Sequence, residues 1–148
     1  MGGTHYFYVV PYHRDTQHAL DRLREREFRA GRYYPVMLEI SFRNVGFLEQ
    51  VPGARHASIE DAVRASRDTG TRSILDISAV AEQPAYCSTA PLGPDELEDF
   101  FGTTQPTREQ ALKCDELPEV VDRGQCRHVV LFKNGAPDEL LFVGCSFD

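Results

Sequence analysis

Close to the end of the chain two apolar runs, His128 to Phe132 and Leu140 to Val143, flank the turn-forming stretch Asn134-Gly135-Ala136-Pro137. A strand with one wet face alternates apolar and polar residues, whereas these runs are apolar on both faces. The pattern predicts a β-hairpin sequestered inside a layered domain. With 148 residues, 41% of them hydrophobic, the chain suffices for one such domain, residues 1–148, built around a single core.

Further elements follow from punctuation and periodicity. His5 to Tyr12 is dense in aromatic and β-branched residues and reads as a first strand, with Phe7 and Val9 on one face and Tyr6, Tyr8 and Val10 on the other. Asp15 is placed as an N-cap for a helix over Thr16 to Ala30, and Gly31 suits the position just past its end. Alternation of Val36, Leu38, Ile40 and Phe42 with Met37, Glu39, Ser41 and Arg43 predicts a second strand. Ser58 and Asp61 suggest a capped helix that stops by Gly70, and Arg72 to Ile77 reads as a further strand. A proline-containing loop through Cys87 leads to a helix from Pro94 to the Gly102 stop. A short helix after Thr107 and a single turn over Pro118 to Asp122 precede the hairpin. The order predicts an α+β fold: a mainly antiparallel sheet of four to five strands packed by helices and ending in the buried hairpin.

The register of that hairpin carries a chemical expectation. A two-residue turn at Gly135-Ala136, or a four-residue loop over Asn134 to Pro137, sets Cys126 opposite Cys145, with His128 two residues along on the same face as Cys126. A Cys126, His128 and Cys145 cluster suits redox exchange, thiolate catalysis or a metal, because imidazole stabilises a thiolate and both groups ligate zinc. Packed cysteines in a buried hairpin are the plainer alternative. His13 and His18 fit no zinc spacing, Ser73 and Ser78 lack a Gly-X-Ser-X-Gly elbow, and no glycine-rich loop suited to a phosphate-bearing cofactor is present. No cofactor or metal is expected.

Charge is distributed unevenly. The chain carries net charge −7, which opposes attraction to nucleic acid or anionic lipid. Residues 91–124 contain nine acids (Asp95, Glu96, Glu98, Asp99, Glu109, Asp115, Glu116, Glu119 and Asp122) against Arg108, Lys113 and Arg123, a net −6 of that −7. The first helix instead gathers Arg22, Arg26 and Arg29 at helical spacing. An acidic surface steers a basic protein partner toward itself. Met1 to His5 has no basic n-region, Tyr6 to Val10 is too short for a signal core, and Tyr6 stands where a myristoylation motif wants Ser or Thr. Four cysteines without a Cys-X-X-Cys pair suit a reducing compartment, so a cytoplasmic location is expected.

Gly70-Thr71-Arg72-Ser73-Ile74-Leu75-Asp76-Ile77, Phe101-Gly102-Thr103-Thr104-Gln105-Pro106-Thr107-Arg108 and the closing Gly144-Cys145-Ser146-Phe147-Asp148 resemble segments of small uncharacterised bacterial proteins. The resemblance implies no activity, cofactor or catalytic residue. Function is therefore expected from the charge pattern: a small protein-binding factor of inhibitor, antitoxin-like or immunity-like type. Glu96, Glu98, Asp99, Glu116 and Glu119 are its contact residues. The alternative is a thiol-dependent enzyme or redox protein using Cys126, His128 and Cys145.

Overall fold

The computed structural model describes residues 3–36 and 53–147. Apart from Val36, the strand expected over 36–43 lies outside the described residues. Five strands form one mixed sheet in the order β1-β5-β4-β3-β2. They are β1 (His5–Pro11), β2 (Ala79–Val80), β3 (Ser88–Pro91), β4 (Cys126–Lys133) and β5 (Ala136–Cys145). The long strands β1, β5 and β4 pair antiparallel, and the short strands β3 and β2 add in parallel. The result is a single α+β domain that ends in the β4–β5 hairpin.

The sheet is covered on both faces, which is why β4 and β5 are apolar in both directions. Below it lie α1 (Thr16–Ala30) and α2 (Ile59–Ala65), with Leu20, Leu23, Phe28 and Ala62 packed against Tyr6, Tyr8, Leu140 and Phe142. Above it lie α3 (Pro94–Phe101), α4 (Arg108–Lys113) and a 3-10 turn over Leu117–Val120, which pack with Val129, Leu131, Leu141 and Val143. Strand alternation sorts side chains between these cores: Tyr6, Tyr8 and Val10 of β1 enter the lower one, Phe7 and Val9 the upper. Where Tyr6 crosses β5, its ring occupies the space a side chain at position 144 would need, and the residue there is Gly144.

Local chemistry explains most boundaries. Asp15 accepts the His18 amide at the start of α1, and Gly31 takes the left-handed conformation (φ 72°) at its end, donating to the carbonyls of Glu27 and Phe28. Thr107 and Gln110 exchange capping bonds at α4. At the hairpin tip Asn134 (φ 53°) and Gly135 (φ 78°) are both left-handed, the signature of a two-residue type I′ turn closed by Lys133 and Ala136.

Two expectations are corrected here. Arg72 to Ile77 is not a strand: Ile74–Asp76 is a 3-10 turn. Ser73 Oγ accepts the Leu75 amide, and Asp76 Oδ1 accepts the Thr71 amide (2.8 Å) and hydroxyl (2.7 Å), so side-chain bonds close the backbone on itself. The hairpin register also differs. With the turn at Asn134-Gly135 and a bulge that leaves Asp138 unmatched beside Leu131 and Phe132, the body of the hairpin pairs Cys126 with Gly144.

Candidate functional site

That shift of one residue reverses the face of Cys145 relative to Cys126. Cys126 is wholly buried in the lower core and Cys145 lies in the upper, so the sheet itself separates them. The expected Cys126, His128 and Cys145 cluster does not form. His128 does share the face of Cys126, but its Nδ1 is engaged by the Thr89 hydroxyl at 2.9 Å. Burial pushes the Cys126 thiol up to about 12. Burial, and next the charge of Arg127, bring His128 down to about 4. Both groups are thus held neutral, the reverse of a thiolate–imidazolium pair.

The acidic residues fare differently. Helix α3 turns Leu97, Phe100 and Phe101 toward the upper core, and the 3-10 turn buries Leu117 and half-buries Val120 there. Glu98 and Asp99 on the helix, and Glu116 and Glu119 around the turn, are left exposed. None of these four carboxylates has an ion-pair partner among the described residues. They sit on one layer of the molecule because α3, α4 and the turn all cover the same sheet face. Pro94 opens α3 and Asp95 and Glu96 occupy its first turn, where carboxylates suit the positive end of the helix dipole.

Glu96 departs from the expected role. Its carboxylate is clamped by Arg127 through bonds of 2.6 and 3.1 Å and also accepts the Gly93 amide. The Arg127 hydrogen bonds hold its carboxyl below the usual range. Arg127 itself is nearly buried on β4 and donates to the carbonyls of Ala90 and Pro91 at the end of β3. One guanidinium thus ties β4, β3 and the start of α3 together, and Glu96 serves this joint.

The comparisons return nothing. No family model, curated protein or solved structure matches this chain. No helix among the described residues is long and apolar enough to cross a membrane. What the upper layer offers is fixed negative charge on short, well-capped elements over a rigid sheet. Such a surface can orient a basic partner without itself rearranging. Arg127 is the residue that sequence reasoning missed, because its partner Glu96 is 31 positions away and the β3–β4 pairing that joins them leaves no local signal.

Proposed function

We propose that this chain is a small protein-binding factor of the inhibitor, antitoxin-like or immunity-like kind, acting in the cytoplasm through its acidic layer on a basic protein surface. The observation that carries the reading is the exposure of Glu98, Asp99, Glu116 and Glu119 without cationic partners among the described residues, on the layer that holds most of the chain's net charge. Charges of one sign on one side raise encounter rates and select against acidic partners. Glu96 supports the surface indirectly by fixing α3 on Arg127.

The test is affinity capture with the purified chain at about 50 and 500 mM salt, spanning weak and strong screening. The expected result is a stoichiometric protein partner retained at low salt and weakened at high salt. It should be lost from a Glu98→Lys, Asp99→Lys, Glu116→Lys, Glu119→Lys variant that still folds. A partner retained by that variant, or none captured at either salt concentration, overturns the reading.

A further inference from the structure

The acidic layer also holds a small, open apolar pocket of about 140 Å³, set between the end of α4 and the 3-10 turn over Leu117–Val120. Its floor is Leu141 and Val143 of β5, two residues apart and therefore on one face of the sheet. Phe7, paired with Val143 across the strands, forms the side toward β1, and Leu117 forms the side toward the turn. Leu112, 41% exposed, and the exposed Asp115 stand at the rim. The gap has a local cause. The residue that α4 buries here is Ala111, whose single methyl group reaches less far than the leucines around it.

Size and charge together define what fits. An apolar cavity of about 150 Å³ holds one benzene ring, whereas pockets for whole small molecules run from roughly 300 Å³ upward. This pocket therefore suits a single side chain of leucine or phenylalanine dimensions rather than a free metabolite. Around it, residues 108–122 contain Glu109, Asp115, Glu116, Glu119 and Asp122 against Arg108 and Lys113, a formal net charge of −3 with every group counted as charged. Both bases already face acids: Lys113 bonds Glu109 at 2.8 Å, and Arg108 lies 3.7 Å from Glu139. Asp115, Glu116 and Glu119 have no ion pair among the described residues.

We infer that this pocket is the anchor point for the basic partner: it takes one aliphatic or aromatic side chain from a partner segment that carries lysine or arginine on either side of it. The inference rests on the acidic-layer reading above and adds the short-range contact that charge alone does not supply. Binding energy concentrates where an apolar anchor fills a desolvated pocket, while the carboxylates around it steer the approach and reject acidic segments.

The experiment titrates the full-length protein with three end-capped peptides, Lys-Lys-Leu-Lys-Lys, Lys-Lys-Ala-Lys-Lys and Glu-Glu-Leu-Glu-Glu, and follows methyl resonances by NMR. The basic leucine peptide is expected to bind saturably and to shift the methyl signals of Ala111, Leu112, Leu117, Leu141 and Val143. It should bind about 10-fold or more tighter than the alanine peptide, as for burial of the additional apolar carbons, and tighter than the acidic peptide by about the same factor. Leu112→Ser, an exposed change whose fold is checked by circular dichroism, should weaken it about 3-fold or more. Val80→Thr, an exposed apolar position on the far edge strand, should leave it unchanged. The outcomes separate the two readings. Equal binding of the leucine and alanine peptides overturns the anchor pocket and leaves the acidic surface standing. Equal binding of the basic and acidic leucine peptides overturns the basic segment, and the acidic-layer reading with it. Absence of saturable binding at millimolar peptide, shifts confined to methyl groups of the lower core, or indifference to Leu112→Ser each overturns the pocket, and the capture experiment then decides the acidic layer by itself.

Discussion

The two layers that sandwich the sheet treat charge in mirror fashion. In the lower layer, rich in arginine, the acid Glu27 is buried and held by Arg32, so cations face the solvent. In the upper layer, rich in carboxylates, the base Arg127 is buried and held by Glu96, so anions face the solvent. Each layer buries one charge of its minority sign, while others of that sign, Asp21 and Glu60 below and Arg108 and Lys113 above, stay exposed. The two pairs differ in depth: both side chains of Arg32 and Glu27 are at most 1% exposed, whereas Glu96 is 38% exposed. Burial of both partners makes the lower pair unforgiving, while water can rescue half of the upper one.

Breaking the lower pair should show the largest effect. Arg32→Met leaves the buried Glu27 carboxylate with the partly exposed Arg26 as its remaining ion-pair partner among the described residues and is expected to cost about 3 kcal/mol, read as a shift of the urea unfolding midpoint. A loss equal to that from Arg127→Met would erase the contrast in depth.

Lower pH tests the same core from another side. His128, buried under the sheet, has its pKa depressed to about 4, so the native state refuses a proton that the unfolded chain accepts near 6.5. Its contribution is complete above pH 6.5 and is lost as pH falls through that window toward 4, amounting to about 2 kcal/mol by pH 5. Asp76 works with the opposite sign. Burial, its largest influence, raises its carboxyl, so protonation of Asp76 favours the native state as pH falls through that raised value. Urea midpoints at pH 7.5 and 5 should therefore fall for the native chain and change less for His128→Gln. An equal drop in both would remove His128 as the cause.

Arg127→Met should come next, at about 1–2 kcal/mol, because Glu96 turns to water while the Ala90 and Pro91 carbonyls lose their donor. The smallest effect belongs to the solvent side of the same layer. Glu98→Gln with Asp99→Asn should move thermal stability by no more than about 0.5 kcal/mol while weakening capture of a basic partner, which separates surface recognition from folding.

Much of this architecture is readable residue by residue. Asp15 and Gly31 bracket α1, Thr107 and Gln110 announce α4, and the face assignment of β1 follows from alternation alone, because in each case the signal is local. The misread segment failed for a local reason too: Ile74, Leu75 and Ile77 are apolar enough for a strand, but the Ser73 hydroxyl and the Asp76 carboxylate take the backbone amides of Leu75 and Thr71. Strands β2 and β3 are only two and four residues long, and β3 ends on Pro91, so both are too short for periodicity to register. In the acidic layer, composition identified Glu98, Asp99, Glu116 and Glu119 as surface carboxylates. Glu96 looks the same in sequence and differs only because a distant arginine reaches it.

The unmatched residue at Asp138 has a lasting consequence for the hairpin. At the tip, pairing follows one phase (Lys133 with Ala136), and in the body another (Cys126 with Gly144), with the bulge absorbing the difference. It works like a slipped gear tooth, letting the tip change length by one residue if the slip is removed or repeated. Carried through the body, the tip's phase would pair Cys126 with Val143 and bring Cys126 and Cys145 onto one face, so the bulge is what sorts the two thiols to opposite sides.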